Sequence, residues 1–181
     1  DILRVPYITA IGEAEKMCSK LCIDGLVDAV LSEDTDVLAY GALNFMSKID
    51  TYNDTCLLIN YDHLLAVMDI TTEQFLDLCI MCGTDYNHNI PNVGAHTAFK
   101  HLFIHKNIED VGKNIKLDIS ILKHLRGREL FRIFPNYEVT DIPYCGRPEF
   151  NMLEQFLHTH QISINIDSLK TNFQANITII D

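Results

Sequence analysis

The chain has 181 residues, 48% of them hydrophobic and 22% charged, which suits one large domain or one and a half small ones. Its net charge of −11 argues against broad, non-specific attraction to nucleic acid, although bound cations and local basic patches can offset an acidic total. No apolar run reaches the length of a membrane span, the first residues lack a signal-peptide layout, and six irregularly spaced cysteines read as free thiols of a reducing intracellular compartment.

The elements follow in chain order. The first residue is not Met, and the apolar run over residues 2–8 reads as a strand, its core at 4–8, entering from something upstream. A helix is expected over 13–24, with Met17, Leu21 and Cys22 on its apolar face and Gly25 stopping it. Residues 27–31 form a short apolar strand, followed by Ser32-Glu33-Asp34-Thr35-Asp36 and a short helix ending at Gly41. Two more strands are expected at 44–49 and 55–59. This alternation predicts an α/β fold with a mostly parallel sheet flanked by helices.

Beyond residue 60 the pattern turns helical. One helix covers 61–68. Thr71-Thr72-Glu73-Gln74 opens another with a capping box, and Gly83 ends it. A turn at 91–94 precedes a helix over 95–105, and further helices lie around 119–134 and 149–160. The Ile- and Asn-rich tail, 161–181, has no assigned element.

Three acidic clusters punctuate the first half: Glu13 and Glu15, Asp34 and Asp36, and Asp85 after Gly83. Each has an ordinary explanation. Glu13 and Glu15 complement a helix dipole, Asp36 caps a helix, and Asp85 sits in a turn. Asp34 and Asp36, however, follow the carboxyl end of a strand, where open α/β sheets bind ligands. Taken together, carboxylates drawn from different elements repel one another unless a divalent cation joins them, and a two-metal site needs such a set. Magnesium-dependent phosphodiester chemistry is the expectation.

Other groups carry less. Cys79 and Cys82 lie in an amphipathic helix and read as core thiols. His96, His101 and His105 have no further ligand pair nearby and read as solvated or packed, as do His158 and His160. Lys116, Lys123, Arg126, Arg128 and Arg132 form the basic concentration, suited either to duplex phosphates or to a solvated face. Tyr86 suits packing or the positioning of its turn.

Gly12-Glu13-Ala14-Glu15, the run from Ser32 to Gly41 through Asp34-Thr35-Asp36, and the run from Glu73 through Gly83-Thr84-Asp85-Tyr86 resemble, in order and spacing, the internal nuclease region of flap endonucleases and their XPG relatives. The turn and helix at 90–105 continue the resemblance, which covers roughly the first 110 residues. It implies a PIN-like, partial parallel-sheet nuclease core over 1–86, a helical helix–two-turn–helix DNA-binding region over 87–160, and a tail over 161–181. It further implies a structure-specific endonuclease or 5′-exonuclease of DNA replication, repair or recombination. Such an enzyme would act on branched, nicked or gapped DNA with two Mg2+ ions, for which Mn2+ can substitute. Glu13, Glu15, Asp34, Asp36 and Asp85 match the metal-site carboxylates, and Asn92, Gly94, His96, Thr97 and Lys100 match the DNA-contacting turn and helix, where the family also holds K+.

Two departures qualify that match. The family's upstream aspartates, helical arch and phosphate-contacting basic residue are not in this chain, so the chain alone is expected to be inactive or nearly so, with the other half of the core as its partner beside replication or recombination proteins. The family's Gly-x-Gly turn reads Asn92-Val93-Gly94 here, and the basic pair after it is His96-Thr97. Asn accepts a left-handed turn position nearly as well as Gly, but fewer positive charges weaken phosphate attraction and flatten its salt dependence. The composition suggests an AT-rich genome such as that of a large DNA virus, a poxvirus for example, with action in the nucleus or at a cytoplasmic replication site. The alternatives are a non-catalytic DNA-binding or scaffold module retaining the fold, and an RNA-cleaving PIN nuclease.

Overall fold

The computed structural model describes residues 2–134, 136, 139–140, 142 and 145–176, with the backbone alone for 174–176. The chain forms two compact units, Ala10–Glu138 and a second made of Asp1–Thr9 with Val139–Asp181.

In the first unit, α1 (Ala14–Ile23) leads to β1 (Val30–Leu31), the single-turn α2 (Asp36–Ala39) and the strands β2 (Asn44–Asp50) and β3 (Thr55–Asn60). β1 pairs parallel with β2, Val30 opposite Phe45, while β2 pairs antiparallel with β3 across an irregularity between Ser47 and Asp50. The expected α/β class is present with a small sheet. β3 runs antiparallel because a four-residue turn joins it to β2, and a parallel return needs a long crossover. β1 is shorter than the expected 27–31 because the N–H groups of Leu26 and Val27 bond the Leu21 carbonyl and finish the end of α1 instead of joining a ladder.

Helices α3 (Tyr61–Met68), α4 (Thr72–Cys82), α5 (Ala95–His105), α6 (Ile108–Ile115) and α7 (His124–Arg132) complete the unit. α4 is its central element. Phe75 faces the sheet-side cluster with Val37, Phe45 and Tyr61. Leu76, Ile80 and Met81 face a helical cluster with Leu102, Val111 and Phe131. The expected capping box is present: Thr71 Oγ1 accepts from the Gln74 N–H, and Gln74 Oε1 accepts from the Thr71 N–H. Thr71→Ala is expected to cost about 1 kcal/mol of stability, read by urea unfolding.

The expected helix over 119–134 divides at Lys123, whose φ of +46° separates a short 3-10 turn, Ser120–Leu122, from α7. α6 was not anticipated. Asn107 starts it by accepting the Asp110 N–H at 2.8 Å.

An ion network binds α4, α6 and α7. Asp77, 3% exposed, receives Arg128 Nε and Nη2, both at 2.7 Å, and the Ile108 N–H at 3.1 Å. The same guanidinium donates to Glu109 at 2.6 and 2.8 Å, and His124 Nε2 lies 3.2 Å from that carboxylate. Its hydrogen bonds from Arg128 hold the Glu109 carboxyl down to about 2. Arg128 is therefore a structural cation and leaves the basic concentration considered for phosphate contact.

In the second unit, residues 4–8 are not a strand. Arg4 takes φ +53°, and the carbonyls of Ile2 and Arg4 accept from Glu149 and Gly146 at 2.9 and 3.1 Å, so no ladder forms. α8 (Phe150–Thr159) matches the expected helix, and α9 (Ile166–Asn176) occupies the tail. Phe150 and Phe173 pack edge to face at 6.1 Å, beside a Lys170–Glu154 ion pair at 3.1 Å. The Ile-rich end at 177–181 lies outside the described residues.

Candidate active site

The acidic residues sit at element boundaries. Ser32 Oγ accepts the Asp34 N–H at 3.0 Å, and Asp34 Oδ1 accepts the Asp36 N–H at 2.9 Å. Asp34, one position before the Thr35 N-cap, thus satisfies the first N–H of α2, and the Asp36 side chain is free of that duty. Asp36 opens α2, and its carboxyl accepts from the Asp85 backbone N–H instead of capping the helix.

The Asp85 turn is held from both sides. Gly83 takes φ +93°, and a Cβ there would lie 3.2 Å from the Asn89 backbone nitrogen. Thr84 and Asn87 exchange backbone bonds at 3.2 and 3.1 Å, and Asn87 Nδ2 donates to the Ile80 carbonyl at 2.7 Å, tying the turn to α4.

These boundaries bring the carboxylates together. Burial pushes the Asp36 carboxyl up to about 6, and the negative charges of Asp34, Asp85 and Glu15 push the same way, against an opposing backbone bond from Asp85. Glu13 lies on the flank. It acts, with Asp36, on the Tyr40 hydroxyl, which burial first raises above its ordinary range. It also partly offsets the burial that lowers the Lys16 ammonium. Residues from α1, the β1–α2 junction and the 83–87 turn therefore share one acidic basin.

Hard oxygen donors that repel one another are the donor set a divalent magnesium-type cation takes, so these residues fit such an ion chemically. Among the described residues, no group of three or more His, Cys, Asp or Glu side chains is placed to hold a metal ion. The basin is an open acidic surface rather than a finished cage.

Behind it lies an aromatic layer. The Tyr40 and Tyr86 hydroxyls are 2.6 Å apart, and Phe131 packs on both rings at 4.7 and 5.2 Å. Lys16 Nζ donates to the Leu130 carbonyl at 2.6 Å and lies 5.8 Å from the Tyr40 ring centroid. Neither the hydroxyl pair nor the tethered lysine was foreseen. Tyr40 stands four residues after Asp36, which is the available sequence signal, but its partner lies 46 positions further on.

The turn before α5 has the expected left-handed residue. Asn92 takes φ +65°, with the Val93 N–H donating to the Ile90 carbonyl at 3.0 Å. Gly94 opens α5 from extended backbone without a side-chain cap. His96 and Lys100 are exposed and Thr97 is half-buried at the start of that helix.

An acidic basin at the carboxyl end of a parallel strand pair lies at the sheet edge where α/β proteins bind their ligands. Comparison with known proteins narrows this. Residues 4–85 match the XPG I-region. The chain is 34% identical to a probable RAD2-like endonuclease, 369L, of Invertebrate iridescent virus 6, covering 96% of this chain and 47% of that protein. It is 37% identical to flap endonuclease 1 of Zea mays, over 78% of this chain and 39% of that one. Among solved structures, flap endonuclease-1 from Methanococcus jannaschii superposes with a TM-score of 0.73 at 26% identity, covering 94% of this chain and 52% of its own. The chain belongs to the flap endonuclease and XPG family. It spans about half the length, or less, of the curated relatives it matches.

Proposed function

We propose that this chain supplies the internal part of the active site of a magnesium-dependent, structure-specific DNA nuclease that cuts branched, nicked or gapped DNA during replication, repair or recombination. The observation that carries this reading is the match of residues 4–85 to the XPG I-region, and the charges of Asp34, Asp85 and Glu15 that push the Asp36 carboxyl up support it. Glu13, Glu15, Asp34, Asp36 and Asp85 would hold two divalent ions, Mg2+ with Mn2+ as a substitute. Bound there, the ions supply an activated water and charge stabilisation at the leaving oxygen.

The chain's own residues orient and bind. Asn92 and Gly94 shape the turn that exposes the first N–H groups of α5, and His96, Thr97 and Lys100 add polar and positive contacts for a DNA phosphate. A potassium ion at that turn belongs to the same reading. The similarity to RAD2-like and flap endonucleases supports the DNA-cleaving class, and the solved structure of human GEN1, 25% identical with a TM-score of 0.67, is a complex with Holliday junction DNA.

The test is cleavage of 5′-flap, nicked and gapped DNA by the chain alone and extended by whatever its gene encodes upstream, in Mg2+ and in EDTA. Magnesium-dependent cutting that disappears in Asp34→Ala is the expected result. An extended protein that binds these DNAs and never cuts them would instead make the retained fold a scaffold, the reading that the open ligand geometry favours.

A further inference from the structure

Tyr40 and Tyr86 join the two halves of the acidic basin. Tyr40 closes α2, which Asp36 opens, and Tyr86 directly follows Asp85. α2 and the 83–87 turn meet through their facing acidic residues, and like charges push such elements apart. Against that repulsion stand the Asp85 backbone N–H, which bonds the Asp36 carboxyl, and the 2.6 Å hydroxyl bond, the one bond from side chain to side chain between the two elements among the described residues. Its geometry is fixed from behind. Tyr40 is 6% exposed, Phe131 packs on both rings, and Lys16 is tethered to the Leu130 carbonyl next to Phe131. The single bond uses one of two hydroxyl protons, and among the described residues no protein group accepts the second. The pair therefore keeps a donor in hand beside the carboxylates.

We infer that Tyr40 and Tyr86 are positioning residues whose hydroxyl bond holds the Asp85 turn against Asp36, so that carboxylates from the two elements face one divalent cation. The inference rests on the metal-site reading given above. Supporting groups behind metal ligands typically change metal affinity 10- to 100-fold when removed.

The test is Mn2+ binding by the whole chain, followed by electron paramagnetic resonance, together with thermal unfolding in EDTA. Tyr40→Phe and Tyr86→Phe keep the rings and remove only the bond. Each is expected to weaken Mn2+ binding about 10-fold, and the double variant no further than either single one, because the two act as a unit. Unfolding in EDTA stays close to that of the parent chain. Equal Mn2+ affinity in the parent and all three variants overturns the inference, whatever happens to the unfolding temperature. A parent chain that takes up no Mn2+, or whose Mn2+ survives Asp34→Ala, overturns the metal-site reading and the inference with it.

Discussion

Arg128→Ala is expected to cost the chain about 3–5 kcal/mol, the range for breaking a buried ion pair by removing one partner. The loss would lower the unfolding temperature by on the order of 10 °C. The reason is the group left behind. The Asp77 side chain is 4% exposed, and without the guanidinium it keeps only the Ile108 N–H as a bond among the described residues. Asp77→Ala is milder, since Arg128 retains Glu109 and is itself 18% exposed. Lysine should not rescue, because one ammonium cannot span two carboxylates as a planar fork does. Replacing both partners by apolar residues of similar volume should recover most of the loss. Urea unfolding of the four variants beside the parent checks this, and an Arg128→Ala midpoint equal to the parent's would show that the network contributes nothing. The acid side follows from Glu109. Its lowered carboxyl contributes stability above the ordinary Glu range, and that contribution fades as pH falls toward about 2. The effect is small, because Glu109 is 45% exposed and screened by solvent.

The second large effect has the opposite sign. In EDTA at neutral pH, Asp36→Asn is expected to stabilise the chain by about 1 kcal/mol, a figure already reduced for solvent screening of a half-buried group. The folded carboxyl holds its proton up to about 6, whereas the unfolded one releases it near the ordinary value of 3.8. The native state therefore binds more protons between those limits, and stability falls as pH rises through them. The asparagine variant lacks that slope, so the gain should vanish below about pH 4, under both values. Magnesium should reverse the order. A ligand at 100 times its Kd stabilises the parent by about 2.7 kcal/mol, and the variant loses that increment. Unfolding against pH, with and without Mg2+, reads both arms. A variant less stable than the parent in EDTA would mean that Asp36 is structural.

What could be read ahead of the structure was what short-range chemistry encodes. The helix at 61–68, the capping box of Thr71 and Gln74, and the helix at 95–105 with left-handed Asn92 before it each depend on residues within a few positions of one another. The order of the acidic clusters along the chain carried the family resemblance, which the match of residues 4–85 to the XPG I-region bears out. What was not visible depends on partners far away. Arg128 looked like a surface cation because nothing nearby in sequence reveals Asp77, 51 positions earlier. Residues 4–8 have the composition of a strand, but a strand needs a neighbour, and their carbonyls bond to residues 146 and 149. Helix α6 escaped because it is only eight residues long, although Ile108, Val111 and Ile115 recur at helical spacing behind its Asn107 cap.

The brevity of α2 bears on how this chain can vary in length over evolution. With Asp36 at one end and Tyr40 just past the other, the segment is a single helical turn whose two ends face the same basin. One inserted residue would rotate everything after it by about 100° and carry Tyr40 away from Tyr86. The β2–β3 hairpin tip is different. Asp50 closes it locally by accepting from the Tyr52 and Asn53 N–H groups at 2.9 and 3.1 Å, and Tyr52 is 92% exposed. Length changes should therefore accumulate at 51–54 and be purged from 34–41, a contrast that a library of single-residue insertions would expose without any assay of chemistry.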